Sequence, residues 1–421
     1  MDALKERLAA ELIAARERSH LLTSLDDADL VSQVSPLMSP LVWDLAHVGN
    51  YEELWLLREA VGIEPMRPEI DTLYDAFEHP RATRPSLPLL PPGEARAYIG
   101  TVRNKVLDTL EGLRPENVPL FEMVIQHEHQ HDETMLATHQ LRRAPSPLRE
   151  DGLPAGTAGT DPWTPETRIP AGPFTMGTLD AAAYDNERPA HRVDLPAYFI
   201  DTVPVSNGDY LAFLESGGYD DERWWHPEGW RWRQSKRITA PAFWFKEGVW
   251  LRRRFGDVEP VPFDQPVQHV CWYEADAYAR WAGKRLPTEA EWEKAASWDP
   301  EAQKASRYPW GDEYLPGRAN LGQRRLQPSA VGSHPEGASP SGVRQLVGDV
   351  WEWTSTAFHG YPGFRAHPYK EYSEVFFGHD YKVLRGGSWA TDPTAARTTF
   401  RNWDLPIRRQ IFAGFRCARS A

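Results

Sequence analysis

Cysteine is nearly absent. Among 421 residues there are two, Cys271 and Cys417, too few for the disulfide framework that staples small secreted domains. Basic charge is in deficit: Lys plus Arg is 47 and Asp plus Glu is 60, so the net charge is 47 − 60 = −13. Such a chain has no overall attraction to nucleic acid or to an anionic membrane surface. Long apolar runs are missing too, and no stretch approaches the roughly 18 residues a membrane span needs. The opening segment, MDALKERLAAELIAARERSH, alternates charge with leucine and alanine and has no apolar centre, unlike a secretory signal. These absences predict a cytoplasmic protein with neither nucleic acid nor a membrane as partner. No repeat of fixed period runs through the chain. What it has in abundance is tryptophan, 18, and proline, 37, more indole than the core of a plain helical protein requires.

The length predicts two to three domains, and the first 140 residues differ from the last 250. Leu4, Leu8, Leu12 and Ile13 recur at helical spacing over 3–22. Residues 41–60 repeat the pattern, with Trp43, His47, Tyr51 and Leu54 on one face. Two further helices are expected over 94–113 and 117–140, giving a four-helix bundle over 1–142. The connection between its second and third helices is long, with Pro80, Pro85, Pro88, Pro91 and Pro92 around two arginines, and loops of that length are often functional. Residues 143–164 have linker composition, rich in Pro, Gly, Ala and Thr. From 165 to 421 helical periodicity is rare. Short β-prone runs at His191–Val193, Tyr198–Ile200 and Tyr381–Leu384 alternate with turn residues. Helices are expected at Ala275–Ala282 and, capped by Thr288, at Glu289–Ala296. The fold class is therefore two-domain, α plus α+β, the second part irregular and held by buried tryptophans.

The sharpest local feature is Gln126-His127-Glu128-His129-Gln130-His131-Asp132-Glu133. On a helix His127 and His131 share a face and can hold one metal ion, whereas His129 points away. Asp132 and Glu133 are candidates to orient those rings by hydrogen bonds. His47, on the inner face of the second helix, can supply a third ligand across a bundle. Three neutral imidazoles with open positions suit zinc, iron, copper or nickel, and the ligand type alone does not choose among them.

Several stretches carry a resemblance to a known family. Residues 1–140, with LMSPLVWDLAH and HEHQHDE, resemble the DinB-type bundle of the sulfoxide synthases of ergothioneine biosynthesis. Residues 165–421 resemble the formylglycine-generating-enzyme or sulfatase-modifying fold, which is C-type-lectin-like. The matching pieces include Pro266-Val267-Gln268-His269-Val270, Arg285-Leu286-Pro287-Thr288-Glu289, Gly348-Asp349-Val350-Trp351-Glu352-Trp353-Thr354, Arg385-Gly386-Gly387-Ser388-Trp389 and Gly414-Phe415-Arg416. Their glycines and tryptophans are first of all structural.

The resemblance implies a non-haem Fe(2+) enzyme. It would use O2 to join the sulfur of γ-glutamylcysteine to imidazole C2 of hercynine (Nα-trimethylhistidine), giving a sulfoxide. It makes His47, His127 and His131 the iron ligands and assigns Arg81, Arg84, Asp404 and Arg408 to γ-glutamylcysteine. That substrate offers two carboxylates and an ammonium, which call for guanidinium forks and one acid. It makes Tyr369 the catalytic phenol, with Tyr361 and Tyr372 in reserve, and places Gln130, Tyr372 and Trp403 against hercynine, whose quaternary ammonium suits aromatic faces. Asn320 and Asp349 alone do not define the calcium site that the C-terminal fold can carry. The rivals are a sister synthase taking free cysteine or unmethylated histidine (ovothiol type), formylglycine generation, and a zinc-stabilised ligand-binding protein without catalysis. Formylglycine generation needs a reactive cysteine pair near the C-terminus, where this sequence has only Cys417.

Overall fold

Apolar periodicity in the first part of the chain becomes helices α1 (Asp2–Leu22), α2 (Asp27–Val31), α3 (Leu41–Glu52), α4 (Asp71–Tyr74), α5 (Pro92–Thr109) and α6 (Val118–Leu141). The computed structural model describes residues 1–151, 162–368 and 372–421, which divide into units Met1–Leu148 and Arg149–Ala421. In the first unit the long helices α1, α3, α5 and α6 form the bundle, α1 packing on α6 and α3 on α5. Leu8, Leu12 and Ala15 bury the inner face of α1, while Ile13 stays exposed. At Gly49 the α3 backbone comes so close to α5 that a Cβ would sit 2.5 Å from Ile99 Cγ2, so no larger side chain fits without a shift. No helix among the described residues is long and apolar enough to cross a membrane.

The second long helix departs from its expected course. α3 runs to Glu52 and continues as a π-helix over Glu53–Glu59. The wider turn leaves Leu54 only partly buried and brings Leu56 and Leu57 fully inside. It also lets consecutive glutamates enter separate buried networks. Glu53 takes Arg58 and the Tyr98 hydroxyl, while Glu52 joins Arg16, Arg103 and Glu128. In that quartet Arg16 Nε donates to Glu128 at 2.7 Å and Arg103 Nη2 donates to it at 2.6 Å. Both arginines also reach Glu52, so two cations and two anions neutralise one another across α1, α3, α5 and α6.

The second unit is assembled from small sheets. One joins β1 (Glu166–Ile169), β4 (Tyr198–Asp201) and β14 (Ala418–Ser420); a hairpin pairs β2 (Gly172–Met176) with β3 (His191–Leu195). A third sheet contains β5 (Trp244–Glu247), β6 (Val249–Arg254) and β7 (Asp257–Pro260), and β8 (Trp298–Asp299) pairs with β9 (Lys304–Ala305). The largest runs in the order β12 (Asn402–Asp404), β11 (Lys382–Arg385), β10 (Trp351–Ala357), β13 (Ala413–Gly414), its last pair parallel. Helices α7 (Asn207–Glu215), α8 (Pro227–Lys236), α9 (Trp272–Trp281) and α10 (Glu289–Ser297) complete the unit. Both expected helices are present, and Thr288 caps α10 by accepting from the Glu291 N–H. α7 and α8 lacked a clear periodic signal.

Tryptophans fill the core and find partners for their N–H groups, as buried indoles must. Trp292 donates to Glu352 at 2.8 Å, Trp353 to the Val270 carbonyl at 3.0 Å, and Trp389 to Gln268 at 3.2 Å. Gly386, at φ +93°, lies where a Cβ would meet the Leu346 carbonyl oxygen at 2.4 Å. The Asp349 carboxylate accepts from Asn320 Nδ2, the Ser329 N–H and Gln345 Nε2. Its oxygens thus face N–H donors, the environment of a structural brace rather than of a cation. Cys271 and Cys417 are buried, and burial pushes both thiols well above their usual pKa. Formylglycine generation needs a reactive pair near the C-terminus, and there the chain has Cys417 alone, buried.

Candidate metal centre

Three histidines converge inside the helical unit. His127 and His131, one turn apart on α6, have ring centroids 4.6 Å apart. His47, from the facing side of α3, comes within 4.6 Å of His131 and 5.1 Å of His127 by the same measure. One nitrogen of each ring can be chosen so that all lie within 4.8 Å of one another, and Nε2 of His47 is 3.3 Å from Nε2 of His127. Two nitrogens bound to one ion at about 2.1 Å, a quarter-turn or somewhat more apart, are separated by roughly 3.0–3.4 Å. The donor set fits a metal ion.

The surroundings prepare these rings as ligands. Burial first, and then the charge of His131, hold His47 and His127 well below the ordinary histidine pKa. Both are therefore neutral near pH 7, with nitrogen lone pairs available. His47 Nδ1 donates to the Tyr74 carbonyl at 2.7 Å, which directs Nε2 inward. His131 Nδ1 lies 3.1 Å from Asp44 Oδ1 and is oriented the same way. Trp43 stacks on His47 at 4.5 Å between centroids and 14° from parallel, its own N–H donating to the Leu73 carbonyl.

One acceptor differs from that expected. Asp132 pairs with His129 at 3.3 Å and takes the Ser19 hydroxyl at 2.8 Å, on the side of the helix away from the cluster. The carboxylate facing a cluster histidine belongs instead to Asp44. A sequence signal existed, since Asp44 precedes His47 by one turn on the same face. The Tyr74 carbonyl had none, because a backbone oxygen at the end of the short helix α4 leaves no trace in side-chain spacing.

Arg81 and Arg84 lie on a 3-10 turn, Arg81–Ser86, of the long connection. Arg81 Nη1 donates to the Leu37 carbonyl at 3.2 Å. Arg84 is buried, 3.4 Å over the Trp43 ring, and donates to Ser39 Oγ and to the carbonyls of His79 and Ala76. Burial pulls its pKa down to about 10, and among the described residues no carboxylate pairs with it. Gln130, beside His131 on α6, is partly buried.

The remaining candidates belong to the second unit. Arg408 Nε donates to Asp404 Oδ1 at 3.0 Å, in a partly buried pair. Trp403 stacks on Phe358 with centroids 4.2 Å apart, and Tyr372 meets it edge-on at 6.2 Å while stacking on Tyr184. Tyr361 is buried under the Arg401 guanidinium, its hydroxyl 3.4 Å from Glu289, and burial holds the phenol well above its ordinary pKa. Tyr369 lies outside the described residues. The structure thus brings together the three histidines, Asp404 with Arg408, and Tyr372 with Trp403.

Comparison with known proteins covers both units. The DinB superfamily model matches residues 11–135, and that of the sulfatase-modifying factor enzyme 1-like domain matches 155–421. A hercynine oxygenase of Mycolicibacterium smegmatis is 52% identical over 431 residues, covering 98% of this chain and 99% of that protein. One from Mycobacterium tuberculosis is 53% identical over 424 residues, covering 98% of each. A formylglycine-generating enzyme of Streptomyces coelicolor is 34% identical over 298 residues, covering 61% of this chain and 89% of that one. With both domains matched and half of all positions identical along nearly its whole length, the chain is an oxygenase and belongs to the hercynine oxygenase family.

Proposed function

We propose that this protein is an iron(II)-dependent sulfoxide synthase that couples γ-glutamylcysteine to C2 of the hercynine imidazole with O2 as oxidant. The observation that carries the reading is the cluster of three histidines, inside a chain about half identical to hercynine oxygenases. The reaction balances as thiol, imidazole C–H and O2 giving the sulfoxide and one water. His47, His127 and His131 would hold the iron on one face and leave positions open, as a catalytic rather than a structural site requires. Iron(II) bound there supplies the activation of dioxygen.

The remaining work falls to the chain. Arg84 is a buried cation without a carboxylate partner among the described residues, a place where a substrate carboxylate would complete the charge. Arg81 would assist it, while Asp404 and Arg408 would hold the ammonium and carboxylate of the amino-acid end. Tyr372 and Trp403 offer aromatic faces to the trimethylammonium, and Gln130 offers an amide to hercynine. Tyr369 is assigned the proton donation that favours C–S bond formation over the competing oxidation of the thiol to a sulfinic acid. Cytoplasmic location belongs to the same proposal.

The test is anaerobic loading with iron(II), followed by O2 uptake and mass spectrometry of the products with both substrates. The sulfoxide is expected from the wild type and His129→Ala, no iron binding or turnover from His131→Ala, and a shift towards γ-glutamylcysteine sulfinate from Tyr369→Phe. Full activity in His131→Ala, or coupling of free cysteine in preference to the dipeptide, would overturn the reading.

A further inference from the structure

The three histidines are not held alike. His131 has the Asp44 carboxylate on its outer nitrogen and His47 has the Tyr74 carbonyl. Nδ1 of His127 meets no acceptor among the described residues. A metal-binding imidazole ordinarily donates that outer N–H to an acceptor, which fixes its tautomer and the plane of the ring. What His127 has instead is a flat neighbour. The Tyr51 ring lies 3.7 Å from it, centroid to centroid, and 12° from parallel. Both residues are buried, each only 8% exposed, so water cannot readily replace the contact.

The placement follows from α3. Tyr51 sits one turn beyond His47 on the same face, with the two rings 6.3 Å apart. A single helix therefore delivers a histidine to the cluster and an aromatic plane to the histidine opposite. Trp43, one turn earlier, does the same for His47, but there a hydrogen bond shares the task.

We infer that Tyr51 is a positioning residue of the metal centre, fixing the ring plane of His127 by stacking where an acceptor fixes the other two. The inference rests on the three histidines binding metal. Rotation of His127 about its Cβ–Cγ bond swings Nε2 away from the cluster, and the Tyr51 face restricts that rotation before any ion arrives. It is the ring that acts, so phenylalanine should serve as well as tyrosine.

Anaerobic titration with Co2+, followed by its visible absorption, tests this on the full chain. Tyr51→Leu should raise the Co2+ dissociation constant about three- to tenfold, the range of an aromatic pair, and alter the absorption bands at saturation. Tyr51→Phe should restore both affinity and spectrum. A residue that merely filled the core would leave the saturated spectrum unchanged. Thermal melting of the metal-free variants separates folding from ligand placement, and Tyr51→Met carries the comparison should the leucine variant not fold. Wild-type affinity and spectrum in Tyr51→Leu, or equal loss in Tyr51→Phe, would overturn the inference while the metal centre stands. Equal Co2+ binding by wild type and His131→Ala would instead remove the three-histidine reading and this inference with it.

Discussion

Helix α6 presents Glu128 to one side of the bundle and His127 and His131 to another, and the two sides are built on opposite rules. In the quartet around Glu128 every charge is answered, since both carboxylates receive guanidinium N–H groups. Around the histidines there is unspent capacity. Their inward nitrogens face one another, and Asp44 Oδ2 is buried without a hydrogen-bond partner among the described residues. A saturated polar network holds helices at fixed spacing, whereas buried polar atoms left without partners mark where an ion or substrate belongs. One residue of sequence separates the two roles, because a 100° step around the helix carries a side chain from one side to the other.

The contrast can be broken most forcefully from the saturated side. Glu128→Ala leaves two buried arginines short of an anion and should destabilise the unit by about 3–5 kcal/mol, read from chemical denaturation followed by far-ultraviolet circular dichroism. A loss below about 1 kcal/mol, the value of an exposed pair, would show that the quartet is solvated and not closed.

On the open side, Asp44→Ala removes the acceptor of His131 while leaving the fold's ion pairs intact. Metal affinity should fall about 10- to 100-fold with little change in the melting temperature of the metal-free protein. Loss of stability with affinity preserved would reverse the roles assigned to the two sides.

The smallest effect sharpens the same distinction in the second unit. Burial opposes ionisation of Glu289, but Arg401 and Arg385 outweigh it and hold the carboxyl below its usual value. A carboxylate lowered on folding contributes stability above its unfolded pKa of about 4.3 and loses it as the pH falls through the folded value. Unfolding free energies measured from pH 6 to pH 2 should fall more steeply for the wild type than for Glu289→Gln. Parallel curves would mean that this carboxyl is not held ionised by its arginines.

Which of these features could be read in advance depended on distance along the chain. His127 and His131 were visible because the helical period alone puts residues four apart on one face, and the same rule turned His129 away. The capping box at Thr288 and Glu291 is equally local. Helices α7 and α8 carry no clear periodic signal because they are short and their apolar residues follow no single stripe. Asp132 was a reasonable but mistaken acceptor: adjacency to His131 in sequence puts it about 100° around the helix, facing Ser19 and His129. The π-helix after Glu52 was invisible, since the amphipathic pattern of 41–60 continues smoothly through it.

The sequence by itself determined that α6 offers two imidazoles to one ion, that an irregular tryptophan-rich domain follows a helical one, and that a framework of disulfides is absent. Each is a property of composition or of one element's period. His47 already stands as a candidate in the sequence, but only the tertiary structure decided that it reaches the pair on α6 and which groups support the rings. His47, Asp44 and Tyr51 come from α3 and the Tyr74 carbonyl from α4. The close approach at Gly49 sets α3 against α5, and a charge quartet drawn from four helices ties α3 to α6. Contacts between elements depend on how the chain closes on itself, and no spacing within one element contains that information.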